Sequence, residues 1–306
     1  MRKSLAGLLM TGALAAGATG VATAAADRAD APIGFGADTT GGAGGETVTV
    51  SSPDEFAAAV AADGPLTVQV EGTIALSGMV RVGSDKTIAG VGTTGVLTGG
   101  GLSIRQANNV IVRQLTISGS GDDNINVEES TNIWIDHNDL SRAADGALDI
   151  KSASDNVTVS WNHFHDQDKN ALLGHSDDNE GQDNGKLRVT YHHNWFDGTN
   201  QRNPRVRFGN PVHVFNNYYN DIGSYGVAST MNAGVLVERN SFENVADPFH
   251  LGEGDSGPGS LVAQDNHVVN SGAGETGGSV AEIPYSYTPD DAADVKAIVT
   301  GGAGVR

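Results

Sequence analysis

One motif, apolar-x-apolar-x-x-Asn-x-apolar, recurs through the middle of this 306-residue chain and restricts its fold more than any other feature. The copies are Ile133, Ile135, Asn138, Leu140; Val157, Val159, Asn162, Phe164; Val189, Tyr191, Asn194, Phe196; Val212, Val214, Asn217, Tyr219; Val235, Val237, Asn240, Phe242; and Leu261, Ala263, Asn266, Val268. An earlier copy, Val110, Val112, Leu115, Ile117, carries Leu at the Asn position. Markers 115, 138, 162, 194, 217, 240 and 266 are separated by 23, 24, 32, 23, 23 and 26 residues. Alternating apolar residues within each copy mark strands, and a period near 23 is too short for paired helices and lacks the leucine-rich consensus. Each copy therefore reads as one coil of a solenoid, with equivalent residues stacked roughly 4.8 Å apart. The recurring Asn is expected to form a ladder, both by tolerating the left-handed conformation at a tight bend and by bonding to the coils above and below. If Asn merely marked surface turns, its fixed register would be unexplained.

The ends differ from this middle. All 23 Asn lie between Asn108 and Asn270, and all nine His between His137 and His267. At the start, Arg2 and Lys3 precede the apolar run Leu5 to Ala16, with small residues at Ala22, Ala24 and Ala26, so residues 1–26 read as a removable export signal. The apolar run is too short to span a bilayer. Residues 27–306 are then expected to form one domain. No Cys is present, so an exported chain would hold together without disulfides. Ser52 followed by Pro53, Asp54, Glu55, Phe56, Ala59 and Val60 predicts a short helix capping the open end of the solenoid. Ala292, Val295, Ile298 and Val299 predict a second short helix within 289–299, packed on the coils. Gly41 to Gly45 fails as a phosphate loop, because no Gly-Lys-Ser/Thr follows.

Charge narrows the function. With 37 acidic and 18 basic residues the net charge is −19, and it becomes more negative once Arg2 and Lys3 are removed. This excludes a nucleic-acid or anionic-membrane binder held by bulk charge, and at first sight argues against a polyanionic substrate too. The stacked coils qualify that inference. Seven or eight residues after successive markers stand Asp123, Asp145, Lys169 and Arg202; Asp149 follows Asp145, and Arg207 follows Arg202. One end of this column is carboxylate and the other cationic. Three clustered carboxylates repel one another unless a cation neutralises them, and calcium, which takes six to eight oxygens, suits such a set. A solvated acidic face is the competing reading. A second metal reading through His163, His165, His192 and His193 is disfavoured, since no Cys accompanies them and His at such strand positions usually packs or faces solvent. An EF-hand at Asp177, Asn179 and Gly181 fails, with Gln182 and Arg188 at its required Gly and Glu positions. Six basic residues crowd between Lys169 and Arg207: these two with Lys186, Arg188, Arg202 and Arg205. They suggest an anion bridging metal and guanidinium groups. Simple pairing with Asp177, Asp178, Glu180 and Asp183 is expected to explain Lys186 and Arg188 better than the column residues.

The strings Trp134-Ile-Asp-His137, Asp145-Gly-Ala-Leu-Asp149-Ile-Lys151, Val157-Thr-Val-Ser160, Lys169-Asn-Ala-Leu-Leu-Gly174, Tyr191-His-His-Asn194 and Arg202-Asn-Pro-Arg-Val-Arg207 resemble, in this order, the motifs of the pectate lyases of polysaccharide lyase family 1. The resemblance runs from about Gly34 to the C-terminal segment. It implies a right-handed parallel β-helix, all-β with short capping helices, and a secreted, monomeric enzyme that cleaves polygalacturonate by calcium-dependent β-elimination. Carried over by position, Asp123, Asp145 and Asp149 would bind calcium, with Asp122 a competitor for the place of Asp123. Arg202 would remove the C5 proton, and Lys169 and Arg207, with Arg205 beside them, would bind the uronate. A guanidinium ordinarily stays protonated, so alkaline conditions are expected, and Arg202 could instead stabilise charge while another group takes the proton. Pectin lyases share the fold but break the acidic column with a basic residue. A glycoside hydrolase would need paired carboxylates without the cations, and a non-catalytic β-helix binder is the reading from a different class.

Overall fold

The computed structural model describes residues 31–306; the expected export signal lies outside the described residues. Among the described residues, successive coils build three parallel sheets of ten, eight and nine strands. The ten-strand sheet runs from Glu46–Val50 to Ser260–Gln264 and pairs each apolar repeat with the next: Val110 with Ile133, Ile133 with Val157, Val157 with Val189 and Val212 with Val235. These stacked residues are fully buried in one continuous core. Phe164, Phe196, Tyr219 and Phe242, the last positions of four copies, stack face to face with centroids 4.8, 4.9 and 4.3 Å apart. The architecture is the solenoid of stacked strands anticipated from the 23-residue period, and the parallel β-helix that the family resemblance implies.

The Asn ladder forms. Asn138, Asn162, Asn194, Asn217 and Asn240 are fully buried, and the backbone N–H of each donates to the side-chain oxygen of the next rung. Each Nδ2 donates to that oxygen too, and also to a carbonyl of its preceding coil, as Asn194 Nδ2 does to Val159 O at 2.9 Å. Half of the expectation is corrected, however. The left-handed residue is the one before each rung: Gln114, His137, Trp161, His193, Asn216, Arg239 and Asp265 all have φ between 50° and 56°. Bend and rung are separate jobs. The bend is occupied by side chains as different as Gln114, Trp161 and Asp265, whereas the rung needs an amide, which both donates and accepts.

The helix Pro53–Ala61 caps the first coils as expected, with Ser52 accepting from the Glu55 N–H and Phe56 and Val60 buried. The second helix is displaced from its expected position, running Val295–Gly302, and it does not cap the far end. Val295, Val299 and Ala303 pack on Tyr218 and Trp195, on the outer flank of the nine-strand sheet. The Gly-rich lead-in is a strap laid along the outside of the ten-strand sheet. Gly36 N–H donates to Thr158, Gly42 N–H to Thr87 and Gly41 N–H to Asn109. Gly42 is required there, because a Cβ would lie 2.2 Å from the Leu66 carbonyl oxygen. Phe35 N–H donates to Thr190; because the Glu238 carboxylate can only accept and burial keeps the His213 ring neutral, His213 Nδ1 accepts from Tyr285, and Tyr285, its one proton so used, accepts from the Thr190 hydroxyl. His213 Nε2–H then donates to Glu238 at 2.9 Å, which joins segments from both ends of the chain to the coils.

Candidate active site

The site lies on the outer face of the eight-strand sheet and the turns that lead into it. Along Ile125–Glu128 and Gly146–Lys151, side chains alternate: Ile125, Val127, Leu148 and Ile150 enter the core. Their neighbours face outward in register, Asn126 with Asp149 and Glu128 with Lys151; Asp149 is level with Leu172, and Leu172 with Arg205. Arg207, two residues beyond Arg205, is level with Thr230. Strand periodicity thus places Asp149, Lys151, Arg205 and Arg207 on one surface.

The turns supply the remaining groups, and here the strand register decides between offsets of seven and eight. Asp123 is level with Gly146, whose N–H it accepts at 2.8 Å, while the Asp145 N–H reaches the Asp122 carbonyl. Asp122, Asp123 and Asp145 each bring a carboxylate oxygen within 4.8 Å of the others, so Asp122 joins the cluster. Lys169 is level with Gln201, and the pairing resumes one residue later at Leu172 and Arg205. The extra residue in the 202–204 turn puts Arg202 at φ 60°, in the left-handed region.

Gly146 leaves the hollow between the acids. A Cβ there would stand 2.2 Å from Asp149 Oδ1 and 3.0 Å from Asp123 Oδ1. Asp123 and Asp149 are each 2 % exposed, and Asp149 Oδ1 is a buried oxygen with no hydrogen-bond partner. Lys151 Nζ lies 3.4 Å from Asp123 Oδ2 and 3.4 Å from Asp149 Oδ2. Burial, with the neighbouring charge of Asp123, pushes Asp149 up to about 7, and burial raises Asp123 in spite of Lys151. A carboxylate pair so costly to ionise, with an oxygen left over and a cradle open between them, suits a hard cation that takes oxygen ligands.

On the cationic side, Lys169 Nζ donates to Asp145 at 2.9 Å, and this bond holds Asp145 below the usual carboxylate range. Arg202 makes no ion pair among the described residues, its Nε is buried without a partner, and its charge favours ionisation of both Asp145 and Asp149. Arg205 donates to Ser256 at 2.7 Å and to the Glu253 carbonyl at 3.2 Å. Arg207 is fixed by Asp177, with Nε to Oδ1 at 2.7 Å, and donates to the Gly174 carbonyl at 3.3 Å. Gly174 has φ +87°, and a Cβ on it would meet the Cβ of Arg207 at 2.7 Å.

All seven charged residues selected from the sequence share this face. The pairing expected between basic residues and the 177–183 acids is corrected. Arg188 pairs with Asp155, and Asp177 pairs with a column residue, Arg207. The eight or nine residues that lengthen the 32-residue coil form the segment carrying Asp177. Sequence reasoning missed Lys151, although its place two residues after Asp149 on the same strand put it on that face.

A sequence model described as pectate lyase matches residues 3–305. The pectate trisaccharide-lyase of Bacillus licheniformis is 41% identical over 289 residues, covering 87% of this chain and 83% of its own. Pectate lyase plyB of Emericella nidulans is 38% identical over 291 residues, covering 90% and 89%. Among solved structures, the Bacillus sp. N165 pectate lyase in complex with trigalacturonate superposes with a TM-score of 0.81 at 30% identity, covering 90% of this chain and 98% of that one.

Proposed function

Because the chain belongs to the pectate lyase family and is a polysaccharide lyase, we propose that it cleaves polygalacturonate by calcium-assisted β-elimination, releasing 4,5-unsaturated oligogalacturonides. The observation that carries this is the unpartnered, buried Nε of Arg202, whose charge acts on Asp145 and Asp149 and which follows Gln201, the residue level with Lys169. Asp123, Asp145 and Asp149, with Asp122 at the rim, would hold calcium. Calcium there supplies charge neutralisation for the substrate carboxylate. Lys169 and Arg207 bind and orient the uronate, with Arg205 alongside, and their positive charge lowers the cost of the enolate-like transition state. Arg202, in its neutral form, meets the C5 hydrogen and takes its proton to become guanidinium; the C5–H electron pair forms the C4–C5 double bond as the C4–O bond breaks, and the preceding sugar leaves as an alkoxide that takes a proton from water. Alkaline conditions favour this role, since a guanidinium must first be deprotonated.

Residues 27–306 act as one catalytic domain of a monomer, exported after loss of residues 1–26. Nucleic acid and membrane are not partners on this reading. The match from residue 3 to 305 supports a single unit.

Incubation with polygalacturonate and calcium tests the reading. Ultraviolet-absorbing unsaturated product is expected, abolished by chelator, and Arg202→Ala should lose turnover while still binding polygalacturonate. Product formed from fully methylated pectin but not from pectate would replace this reading with the pectin lyase one. Binding without product by the parent protein would make it a binder.

A further inference from the structure

On the outer face of the nine-strand sheet, Asp139 of Asp139–Ser141 is level with His163 of His163–His165, and His165 follows two residues later on the same face. Asp139 presents one oxygen to each ring: Oδ1 is 2.9 Å from His165 Nε2, and Oδ2 is 3.3 Å from His163 Nδ1. One donor atom from each of the three residues lies within 4.8 Å of the others. The second nitrogen of each ring faces a different carboxylate. His163 Nε2 is 3.3 Å from Asp197, and His165 Nδ1 is 3.3 Å from Asp166. Outer carboxylates of this kind set the tautomer and orientation of metal-bound imidazoles. Trp195 stacks on His163 at 4.3 Å, which further restrains that ring. The three side chains are 19–25% exposed, so an ion could reach them from solvent.

We propose that Asp139, His163 and His165 form a binding site for one first-row divalent transition metal of the zinc type, separate from the carboxylate cluster on the eight-strand sheet. Two imidazole nitrogens and one carboxylate oxygen, with a fourth position left to water, suit zinc, nickel or copper; calcium wants six to eight oxygens and is rejected. The ion joins two successive coils, and Asp197 on the following coil supports it from behind. In a chain without cysteine, such a cross-coil link would stabilise the solenoid. The disfavoured histidine reading of the sequence lacked Asp139, which is contributed by the preceding coil.

The test is calorimetric titration of the chelator-treated full chain with zinc, in the presence of excess calcium. One zinc per chain is expected, with a rise in thermal midpoint. His163→Gln and His165→Gln should each weaken binding by about tenfold or more, whereas His250→Gln, whose ring faces Asp247 and Glu253, should leave it unchanged. Cobalt should give the intense visible bands of a four-coordinate site in the parent, which needs no variant to fold. Absence of stoichiometric zinc binding, zinc displaced by calcium, affinity unchanged in both histidine variants, or only the weak bands of hydrated cobalt would each overturn the proposal.

Discussion

Lys151 holds its ammonium 3.4 Å from Asp149 Oδ2, on the same carboxylate whose unpartnered Oδ1 faces the cradle at Gly146. The side chain also lies 3.4 Å from Asp123, so it is a built-in counter-ion for two buried acids. It also competes with any added cation. Lys151→Gln should therefore raise calcium affinity several-fold, about 1 kcal/mol by the scale of partly solvated charge pairs. Calorimetry without substrate measures this; weaker calcium binding in the variant would show that Lys151 supports the site instead.

The Asp177 to Arg207 bond makes a second prediction. Arg207 is largely buried, and its orientation depends on a carboxylate from the inserted segment. Asp177→Ala should lower kcat/KM on polygalacturonate by about tenfold, roughly 1.4 kcal/mol, with little change in thermal midpoint. Unaltered kinetics would mean that Gly174 and Ser256 suffice to hold the guanidinium.

Asn rungs should differ in value with their depth. Asn194→Ala strips the Asn162 N–H and amide of their acceptor and Val159 O of a donor, all in the dry interior. A loss of about 3 kcal/mol is expected. Asn266 is only partly buried, so water can replace what Asn266→Ala removes, and about 1 kcal/mol is expected. Equal losses in denaturant unfolding would contradict the ladder as a graded interior network.

Acid stability should depend on Glu238. Its bond from His213, helped by Tyr287 and Gln264, holds the carboxyl at about 2, below its ordinary 4.5. A depressed pKa gives stability that is fully present above the unfolded value and is lost as pH falls through the folded one. Glu238→Gln should thus cost up to about 3 kcal/mol at neutral pH and almost nothing near pH 2. Burial lowers the pKa of His213, whose protonation adds a further loss below its ordinary range in the parent. Unfolding curves of parent and variant that stay equally far apart from neutral pH down to pH 2 would refute the assignment.

Much of the fold was legible because each coil repeats its neighbour. Ile133, Val157 and Val189 occupy the same position of successive motifs, and strand pairing puts them in contact. The candidate site was legible to the nearest residue and no closer. Asp123 and Asp145 were assigned to one level, yet Asp122 is the residue level with Asp145, because the two turns are equal in length and Asp123 stands eight residues after its marker where Asp145 stands seven. Lys169 and Arg202 are likewise one residue apart in level, since Lys169 pairs with Gln201, and the extra residue in the turn that follows then shifts the pairing of Leu172 to Arg205. The net charge of −19 was a poor guide to the substrate, since it averages a surface on which Lys169, Arg202, Arg205 and Arg207 are concentrated on one face.

By itself, the sequence determined the solenoid, its core and its Asn rungs, and it brought seven charged residues to one face. A strand period and a coil period are both one-dimensional, so a linear string can carry them. Only the tertiary structure decided that Lys151 sits between two acids, that Asp177 reaches Arg207 across 30 residues, and that Asp139 completes a group with His163 and His165. It also decided that the Val295–Gly302 helix lies on the flank of the coils. Those contacts depend on turn lengths, on an insertion and on side chains crossing between coils, none of which repeats.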